Sequence, residues 1–278
     1  MNFVDILIST YNGEEYIEKQ IDSLHSQSFK NINIIIRDDG SSDNTISILD
    51  SLAKKHGNIQ LLLGNNIGSS NSFLKLLGYS SSNYVMLCDQ DDVWLPSKVK
   101  QTLDLMLLQE LQNPNISQLV FTDLIVTDKE LNVIHDSMLT LMKIDVYNLI
   151  KEPLNILVQN PVAGCTLMLN SYGRKEVLDS GTIPKRVVHD HWIALIVSKN
   201  GNLSFLKEGT LLYRQHGYNQ VGSSKVNLGY LIRRLFDLKN TFYHDWTLMK
   251  QLDNRGGITI FSYIVKKIVI NARRLYKR

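Results

Sequence analysis

Three carboxylates lie close together in the segment Cys88-Asp89-Gln90-Asp91-Asp92-Val93-Trp94. They follow Tyr84-Val85-Met86-Leu87-Cys88, an unbroken apolar run that is typical of a buried strand. Neighbouring carboxylates repel one another, and burying them without a positive partner is costly. Because Mg²⁺ and Mn²⁺ prefer oxygen ligands, Asp-x-Asp at a strand end indicates a divalent cation that takes further ligands from a diphosphate. The alternative is an acidic turn before the next helix, with Ser97 as its N-cap.

Two other strand patterns also end in polar residues. One runs from Val4 to the segment Ser9-Thr10-Tyr11-Asn12, and the other is Asn33-Ile34-Ile35-Ile36-Arg37, which leads into Asp38-Asp39-Gly40-Ser41. In open α/β sheets, ligands bind at the carboxyl ends of the strands. The three polar strand ends therefore predict one shared binding crevice.

Strand and helix patterns alternate from residue 3 to about residue 125, which predicts an α/β fold with a largely parallel sheet. Helical spacing of apolar residues predicts helices near Glu14 to Gln27, from about Asn71, and from Lys98 to about Gln109. Further buried strands are expected at Leu119 to Thr122 and at Val162 to Leu169.

The polar segments at residues 9–12, 38–41 and 89–92, in this order and spacing, resemble the family 2 glycosyltransferases, which have the GT-A fold. The variant Asp-Gln-Asp-Asp-Val-Trp, followed much later by Tyr213-Arg214-Gln215-His216, is similar to the bacterial rhamnosyltransferase branch. The resemblance implies a single GT-A (Rossmann-like) catalytic domain over residues 1–222 with a mostly parallel central sheet. Residues 223–278 are then expected to form a C-terminal helical extension.

The activity implied by the resemblance is an inverting, metal-dependent transfer of a sugar from a nucleotide diphosphate. The donor would be dTDP-rhamnose, the cofactor Mn²⁺ or Mg²⁺, and the acceptor a lipid-linked saccharide in cell-surface polysaccharide biosynthesis. Two alternatives are the same fold with a UDP-hexose donor, and a non-catalytic nucleotide-sugar-binding protein at the membrane. The joint presence of Asp39, Asp89, Asp91 and Asp190 argues against the non-catalytic alternative.

The resemblance assigns a role to each candidate site residue on the donor side. Asp91 is expected to be the primary metal ligand, with Asp89 shared between the metal and the ribose and first phosphate, and His216 as an additional ligand. The nucleobase is expected to give its imide N–H to Asp39 and to lie between Thr10 and Tyr11. Arg214 is expected in a loop that covers the diphosphate.

The general base is expected on the acceptor side, in His189-Asp190-His191-Trp192. Asp190 matches the position at which inverting members of the family place their catalytic carboxylate, and such a group can accept a hydroxyl proton. The alternative for Asp190 is a cap on a helix from His191 to Ser198. Where many family members have Glu-Asp, this chain has His-Asp, which leaves the role of His189 open.

The C-terminal segment carries all of the excess positive charge. The net charge is +3, and residues 258–278 contain six basic residues and no acid. Phe261, Ile264, Val265 and Ile268 recur there at helical spacing, so a basic amphipathic helix is expected. Such a helix indicates an anionic membrane surface, although a helix packed on the domain is the alternative. Nucleic acid is not expected, because neither aromatic interleaving nor a recognised binding motif accompanies the charge.

The expected location is the cytoplasm, peripheral to the inner face of the cell membrane. Only two cysteines, Cys88 and Cys165, are present, which fits a reducing compartment. A strand pattern begins within a few residues of Met1, so a signal peptide is not expected. The sequence contains no uncharged apolar stretch long enough to cross a bilayer.

Overall fold

The computed structural model describes residues 2–185, 187–216, 248–249 and 259–276. Its strands are β1 (Val4–Thr10), β2 (Ile32–Asp38), β3 (Ile59–Leu63), β4 (Tyr84–Cys88), β5 (Val93–Trp94), β6 (Gln118–Thr127), β7 (Val133–His135), β8 (Leu167–Asn170) and β9 (Asn202–Arg214). Its helices are α1 (Ile17–His25), α2 (Thr45–Lys55), α3 (Ser69–Tyr79), α4 (Lys98–Gln112), α5 (Met138–Leu141), α6 (Val146–Leu149), α7 (Pro153–Val158), α8 (Ser171–Asp179), α9 (His189–Asn200) and α10 (Ile260–Tyr276).

The described strands form one mixed sheet in the order β3-β2-β1-β4-β8-β6-β9-β5, and β7 pairs with β6 at its side. Strands β3, β2, β1 and β4 are parallel, as are β6 and β9, whereas β8 runs antiparallel between β4 and β6. The expected α/β fold with a mostly parallel sheet is therefore confirmed. The parallel order also brings the polar ends of β1, β2 and β4 to the same edge, because parallel strands share one direction.

Alternation along the strands divides the core into two layers. Ile6 and Ile8 of β1 face the layer that contains α1, α2 and α4, whereas Leu7 faces the layer that contains α3 and α9. Strand β4 behaves in the same way, because successive side chains of a strand point to opposite faces. Both faces of these strands are buried, which explains why their sequences are continuously apolar.

Two segments differ from the sequence-based prediction. The predicted strand from Val162 to Leu169 begins instead as a 3₁₀ turn, Gly164–Thr166, and only Leu167–Asn170 pairs as β8. Strand β6 continues to Thr127, past the predicted end at Thr122, and pairs with β9 beyond register shifts near Asp123. Both predictions rested on apolar content alone, which does not indicate where the hydrogen bonding between strands is interrupted and where it continues.

Helix α10 packs on α7 and turns only a narrow part of its surface towards the domain. Tyr263 and Ile270 are buried against the domain. Lys266 pairs with Glu152, which precedes α7, and Arg273 donates to Asn148 Oδ1 at 2.6 Å. The predicted boundary between residues 222 and 223 and the predicted break at Arg255-Gly256-Gly257 lie outside the described residues. Within the described part of the chain, no helix combines the length and hydropathy needed to span a bilayer.

Candidate active site

A cleft of about 730 Å³ opens at the edge of the sheet where β1, β2 and β4 end. Its lining contains residues from all three polar loops that the sequence singled out, together with the start of α9. The predicted site residues that line the cleft are Thr10, Tyr11, Asp39, Asp89, Asp91, Asp190 and His216. The structure therefore brings together residues that lie as much as 206 positions apart in the sequence, as parallel strand topology predicts.

Asp39 forms the floor of one end of the cleft. It is only 2% exposed and forms a buried ion pair with Arg37. Its oxygens also accept the backbone N–H groups of Ile67 at 3.0 Å and Gly68 at 2.8 Å. These contacts fix the position of the carboxylate at the cleft wall, because each of its oxygens is held by a neighbouring donor.

Thr10 and Tyr11 lie on the other side of this end of the cleft. The Thr10 hydroxyl is buried and donates to Asp38 Oδ2 at 2.9 Å, so it orders the turn after β2. Tyr11 lines the cleft and about half of it is exposed. A flat ring can therefore stack on Tyr11, whereas Thr10 contributes mainly by holding the loop that carries Asp39. The role of each residue towards a nucleobase stays a prediction.

The acidic loop between β4 and β5 forms the centre of the site. Oxygens of Asp89 and Asp92 and the sulfur of Cys165 all lie within 4.8 Å of one another. Asp91 is turned towards β9 instead, and its Oδ2 is 2.8 Å from His216 Nε2. Of the predicted ligands, Asp89 belongs to this cluster, whereas Asp91 contacts His216, which follows β9. The ligand set of Asp91, Asp89 and His216 stays a prediction.

The electrostatics of this loop fit a divalent cation. Burial, and next the charge of Asp91, raise the pKa of Asp89 to about 7. Burial also raises the pKa of Asp92, whose Oδ2 is buried without a hydrogen bond. The raised pKa values of Asp89 and Asp92 mean that burial and mutual repulsion disfavour their charged forms. A hard cation that prefers oxygen ligands would offset this charge. Asp91, Asp89 and His216 would hold Mg²⁺ or Mn²⁺ there, with Asp92 beside them.

A buried lysine lies beneath the acidic loop, and sequence reasoning missed it. Lys98 donates to Thr210 Oγ1 at 3.1 Å and stands 4.7 Å from the centre of the Trp94 ring. Burial lowers its pKa to about 8, while nearby groups that include Asp92 act in the opposite direction. Lys98 opens α4 and carries no sequence signal of burial, since a lysine at a helix start is ordinarily solvated.

Arg214 supports the acidic loop from behind. Its side chain donates to the backbone carbonyls of Asp91, at 2.9 Å, and Lys129, and its guanidinium carbon lies 4.8 Å from the Tyr16 ring centre. The backbone N–H of Arg214 also donates to Asp92 Oδ1 at 3.3 Å. Arg214 is buried and does not line the cleft, so the structure places it as a positioning residue. Its predicted contact with a diphosphate stays a prediction.

The short strand β5 explains why residues from the end of β9 reach this loop. Val93 pairs with Leu212 and Trp94 with Leu211, in antiparallel register. The chain therefore leaves β4, passes through the three acids and joins the sheet again beside β9. It brings the end of β9 beside the acidic loop, and His216 stacks on Tyr16 with ring centres 4.9 Å apart.

Gln90 joins the acidic loop to the end of β1. Its side chain accepts the Tyr11 N–H at 2.9 Å and donates to the Tyr11 carbonyl at 3.1 Å. Gly13 lies directly beneath it, and a Cβ at that position would come within 2.4 Å of Gln90 Oε1. This role of Gln90 was not predicted from the sequence, in which its position between Asp89 and Asp91 was the available signal.

Asp190 lies at the start of α9, on the opposite wall of the cleft. Its carboxylate accepts the backbone N–H of His191, is 3.4 Å from Asn160 Nδ2, and receives a further hydrogen bond from the backbone of Gly164. Burial nevertheless raises its pKa to about 6. The expected helix is present and begins two residues before His191, at His189. A carboxylate with this pKa is ionised at neutral pH and can accept a proton.

Comparison with known proteins agrees with this geometry. Residues 5–115 match the family model described as glycosyl transferase family 2. An uncharacterised glycosyltransferase of Haemophilus influenzae is 28% identical over 79% of this chain and 67% of its own length. The dTDP-rhamnosyl transferase RfbG of Shigella flexneri is 24% identical over 85% of this chain and 80% of its own length.

A shorter match reaches an Escherichia coli protein whose described substrate carries a lipid. WfaP, a UDP-Glc:alpha-D-GlcNAc-diphosphoundecaprenol beta-1,3-glucosyltransferase, is 33% identical over 38% of this chain and 42% of its own length.

Solved structures show the same fold. S. aureus TarS in complex with UDP-GlcNAc superposes with a TM-score of 0.64 at 15% identity, over 99% of this chain and 73% of that one. The mannosyltransferase PcManGT of Pyrobaculum calidifontis, in complex with GDP-Man and Mn²⁺, gives 0.54 at 16% identity, over 99% of this chain and 81% of that one.

Proposed function

Because the chain carries a family 2 glycosyltransferase domain and is a glycosyltransferase, we propose that it transfers rhamnose from dTDP-rhamnose to a saccharide acceptor with inversion. The observation that carries the proposal is the similarity to a dTDP-rhamnosyl transferase over most of both chains. The cleft supports it, since Tyr11, Asp39, the acidic loop and the carboxylate of Asp190 all line it. The product would enter cell-surface polysaccharide biosynthesis.

Each wall of the cleft has a part in the proposed reaction. Tyr11 and Asp39 bind the base. Asp91, Asp89 and His216, with Asp92 beside them, would hold a divalent cation, which would offset the charge of the departing diphosphate. Asp190 takes the proton of the acceptor hydroxyl. The hydroxyl oxygen then bonds to the anomeric carbon as the bond from that carbon to the diphosphate oxygen breaks. One displacement of this kind inverts the anomeric configuration.

The direct experiment measures donor choice and dependence on metal together. Ligands that bind the folded protein raise its unfolding temperature, so dTDP-rhamnose, UDP-glucose, UDP-GlcNAc and GDP-mannose are compared with and without Mn²⁺. We expect the largest rise with dTDP-rhamnose and Mn²⁺, and little rise in excess chelator. A larger rise with a UDP-hexose would replace the donor, and no rise with any nucleotide sugar would overturn the function.

We also propose that the acceptor is lipid-linked and that α10 holds the enzyme on the inner face of the membrane. Five large apolar side chains of α10 face solvent: Phe261, Ile264, Val265, Ile268 and Val269. An amphipathic helix normally buries its apolar stripe against its own domain, whereas α10 buries its opposite side. An exposed apolar stripe of this kind suits a lipid surface. Lys266 and Arg273 lie on the other side of α10, where they contact Glu152 and Asn148 of the domain. The similarity to WfaP supports an acceptor of this class.

A further inference from the structure

His189 lies in the wall of the cleft without a hydrogen bond to either ring nitrogen. The residue is only 7% exposed, so water does not freely satisfy both nitrogens. A buried polar group without a partner costs on the order of 1–3 kcal/mol, and a binding site is a common reason for tolerating that cost. The unpaired ring therefore indicates a ligand that arrives in the cleft.

Two neighbours restrain the His189 ring. Phe73 of α3 lies against it with ring centres 4.5 Å apart, and an added Cβ at Gly164 would come within 2.7 Å of His189 Nε2. The backbone N–H of His189 also donates to Ser70 Oγ at 3.2 Å, which anchors the start of α9. The ring is therefore held ready before a ligand binds, which lowers the entropy lost on binding.

The chemistry of the ring selects the kind of ligand. Burial lowers the pKa of His189 to about 4, so the imidazole is neutral at physiological pH. A neutral imidazole offers one donor and one acceptor, which suits a hydroxyl group better than a phosphate or a carboxylate. A sugar hydroxyl both donates and accepts in this way.

We propose that His189 is a specificity-determining residue that hydrogen-bonds a hydroxyl of the transferred sugar. The inference rests on the proposed function, in which the diphosphate lies at the acidic loop through a divalent cation and Asp190 faces the acceptor. The transferred sugar then lies between these two groups, and His189 adjoins Asp190 in the same wall. A site that hydrogen-bonds a hydroxyl discriminates strongly against analogues that lack it, because its own polar group is left unpaired.

The test separates recognition of the sugar from recognition of the nucleotide. The affinities of the wild type, His189→Leu and His189→Gln for dTDP and for dTDP-rhamnose are measured by calorimetry in the presence of Mn²⁺. We expect His189→Leu to bind dTDP like the wild type and to bind dTDP-rhamnose about tenfold more weakly, with His189→Gln between them. His56→Leu, a half-buried histidine outside the cleft, is the matched control.

Each other outcome has a defined meaning. Equal weakening of dTDP and dTDP-rhamnose would show that His189 only supports the wall, and unchanged binding of both would show that it touches neither ligand. Either result overturns the inference. If the wild type itself prefers a UDP-hexose, UDP and that UDP-hexose replace the dTDP pair, so failure of the donor assignment is distinguished from failure at His189.

Deoxy analogues give a second readout that does not depend on how well the variants fold. Donor analogues lacking one hydroxyl at a time are bound to the wild type and to His189→Gln. The loss caused by one particular deoxy position should be large in the wild type and small in the variant. Equal losses at every position in both proteins would overturn the contact.

Discussion

Asp190 shows how the surroundings of one side chain set the pKa of its carboxylate. Burial raises the pKa of its carboxylate, whereas the backbone N–H groups of His191 and Gly164 lower it. The result is a pKa near 6, so the group is ionised at neutral pH and still basic enough to take a proton. The resemblance to the family located this residue, but its pKa depends on Gly164, which is distant in the chain.

The first prediction concerns removal of this base. Asp190→Asn should bind the donor with nearly wild-type affinity and turn over at least about a hundredfold more slowly, which is the usual scale for a lost acid–base group. Asp179→Asn, an exposed carboxylate of α8 paired with Lys175, is the matched control. Calorimetry with the donor and a transfer assay measure the two quantities. Lost donor affinity with retained turnover would make Asp190 a binding or capping residue.

The second prediction is a pH profile with a sign fixed by Asp190. The proposed base acts when ionised, so kcat/KM should fall as the pH drops through about 6, the pKa of Asp190. The fall should approach tenfold per pH unit, because one proton inactivates the group. In Asp190→Asn, the residual activity should lack this limb of the profile. A limb that persists in the variant would assign it to another group.

At the scale of elements, the acidic loop is rigid because three separate segments hold it. Gln90 ties it to the end of β1, Arg214 binds its backbone from β9, and β5 returns the chain to the sheet. The acids and their strand were predictable from the sequence, since apolar runs and polar ends are local signals. The contacts of Cys165, Lys98 and Arg214 were not predictable, because they join residues 73 or more positions apart.

The third prediction tests the tie between β1 and the acidic loop. Gly13→Ala places a Cβ where Gln90 Oε1 now lies, so the Gln90 side chain must move and lose its two bonds to Tyr11. Two neutral hydrogen bonds contribute about 1–3 kcal/mol, so the free energy of unfolding should fall by about 1 kcal/mol or more. The KM for the donor should rise several-fold, since Tyr11 lines the base end of the cleft.

The control is Gly57→Ala, because nothing lies within 4 Å of a Cβ at that position. Denaturant unfolding and donor kinetics of the two variants are measured side by side. Equal behaviour of the two variants would mean that the Gln90 bridge does not position the site.

At the scale of the molecule, the sequence predicted the class of fold and the location of the cleft from local patterns alone. It also placed a basic amphipathic helix near the C-terminus, and α10 is that helix. The direction in which its apolar stripe points was not predictable, since it depends on how Tyr263 and Ile270 pack on the domain. Of the two alternatives weighed for this segment, packing on the domain is present, whereas contact with a membrane stays a prediction that the exposed apolar residues leave open.

The last prediction concerns this exposed stripe. A double variant, Phe261→Ser with Ile268→Ser, removes side chains that are 76% and 63% exposed, so stability should change by less than about 1 kcal/mol. Its affinity for phosphatidylglycerol vesicles should fall at least about tenfold, because each large apolar group contributes about 1.5–3 kcal/mol when fully buried. Binding of the wild type should also weaken from 0.1 to 0.5 M salt, since the Debye length is about 10 Å at the lower value.

Leu111→Ser, an exposed leucine of α4, is the control and should keep vesicle binding. Unchanged binding by the double variant would contradict the membrane role, and a wild-type dimer that the double variant dissociates would assign the stripe to a second copy of the chain.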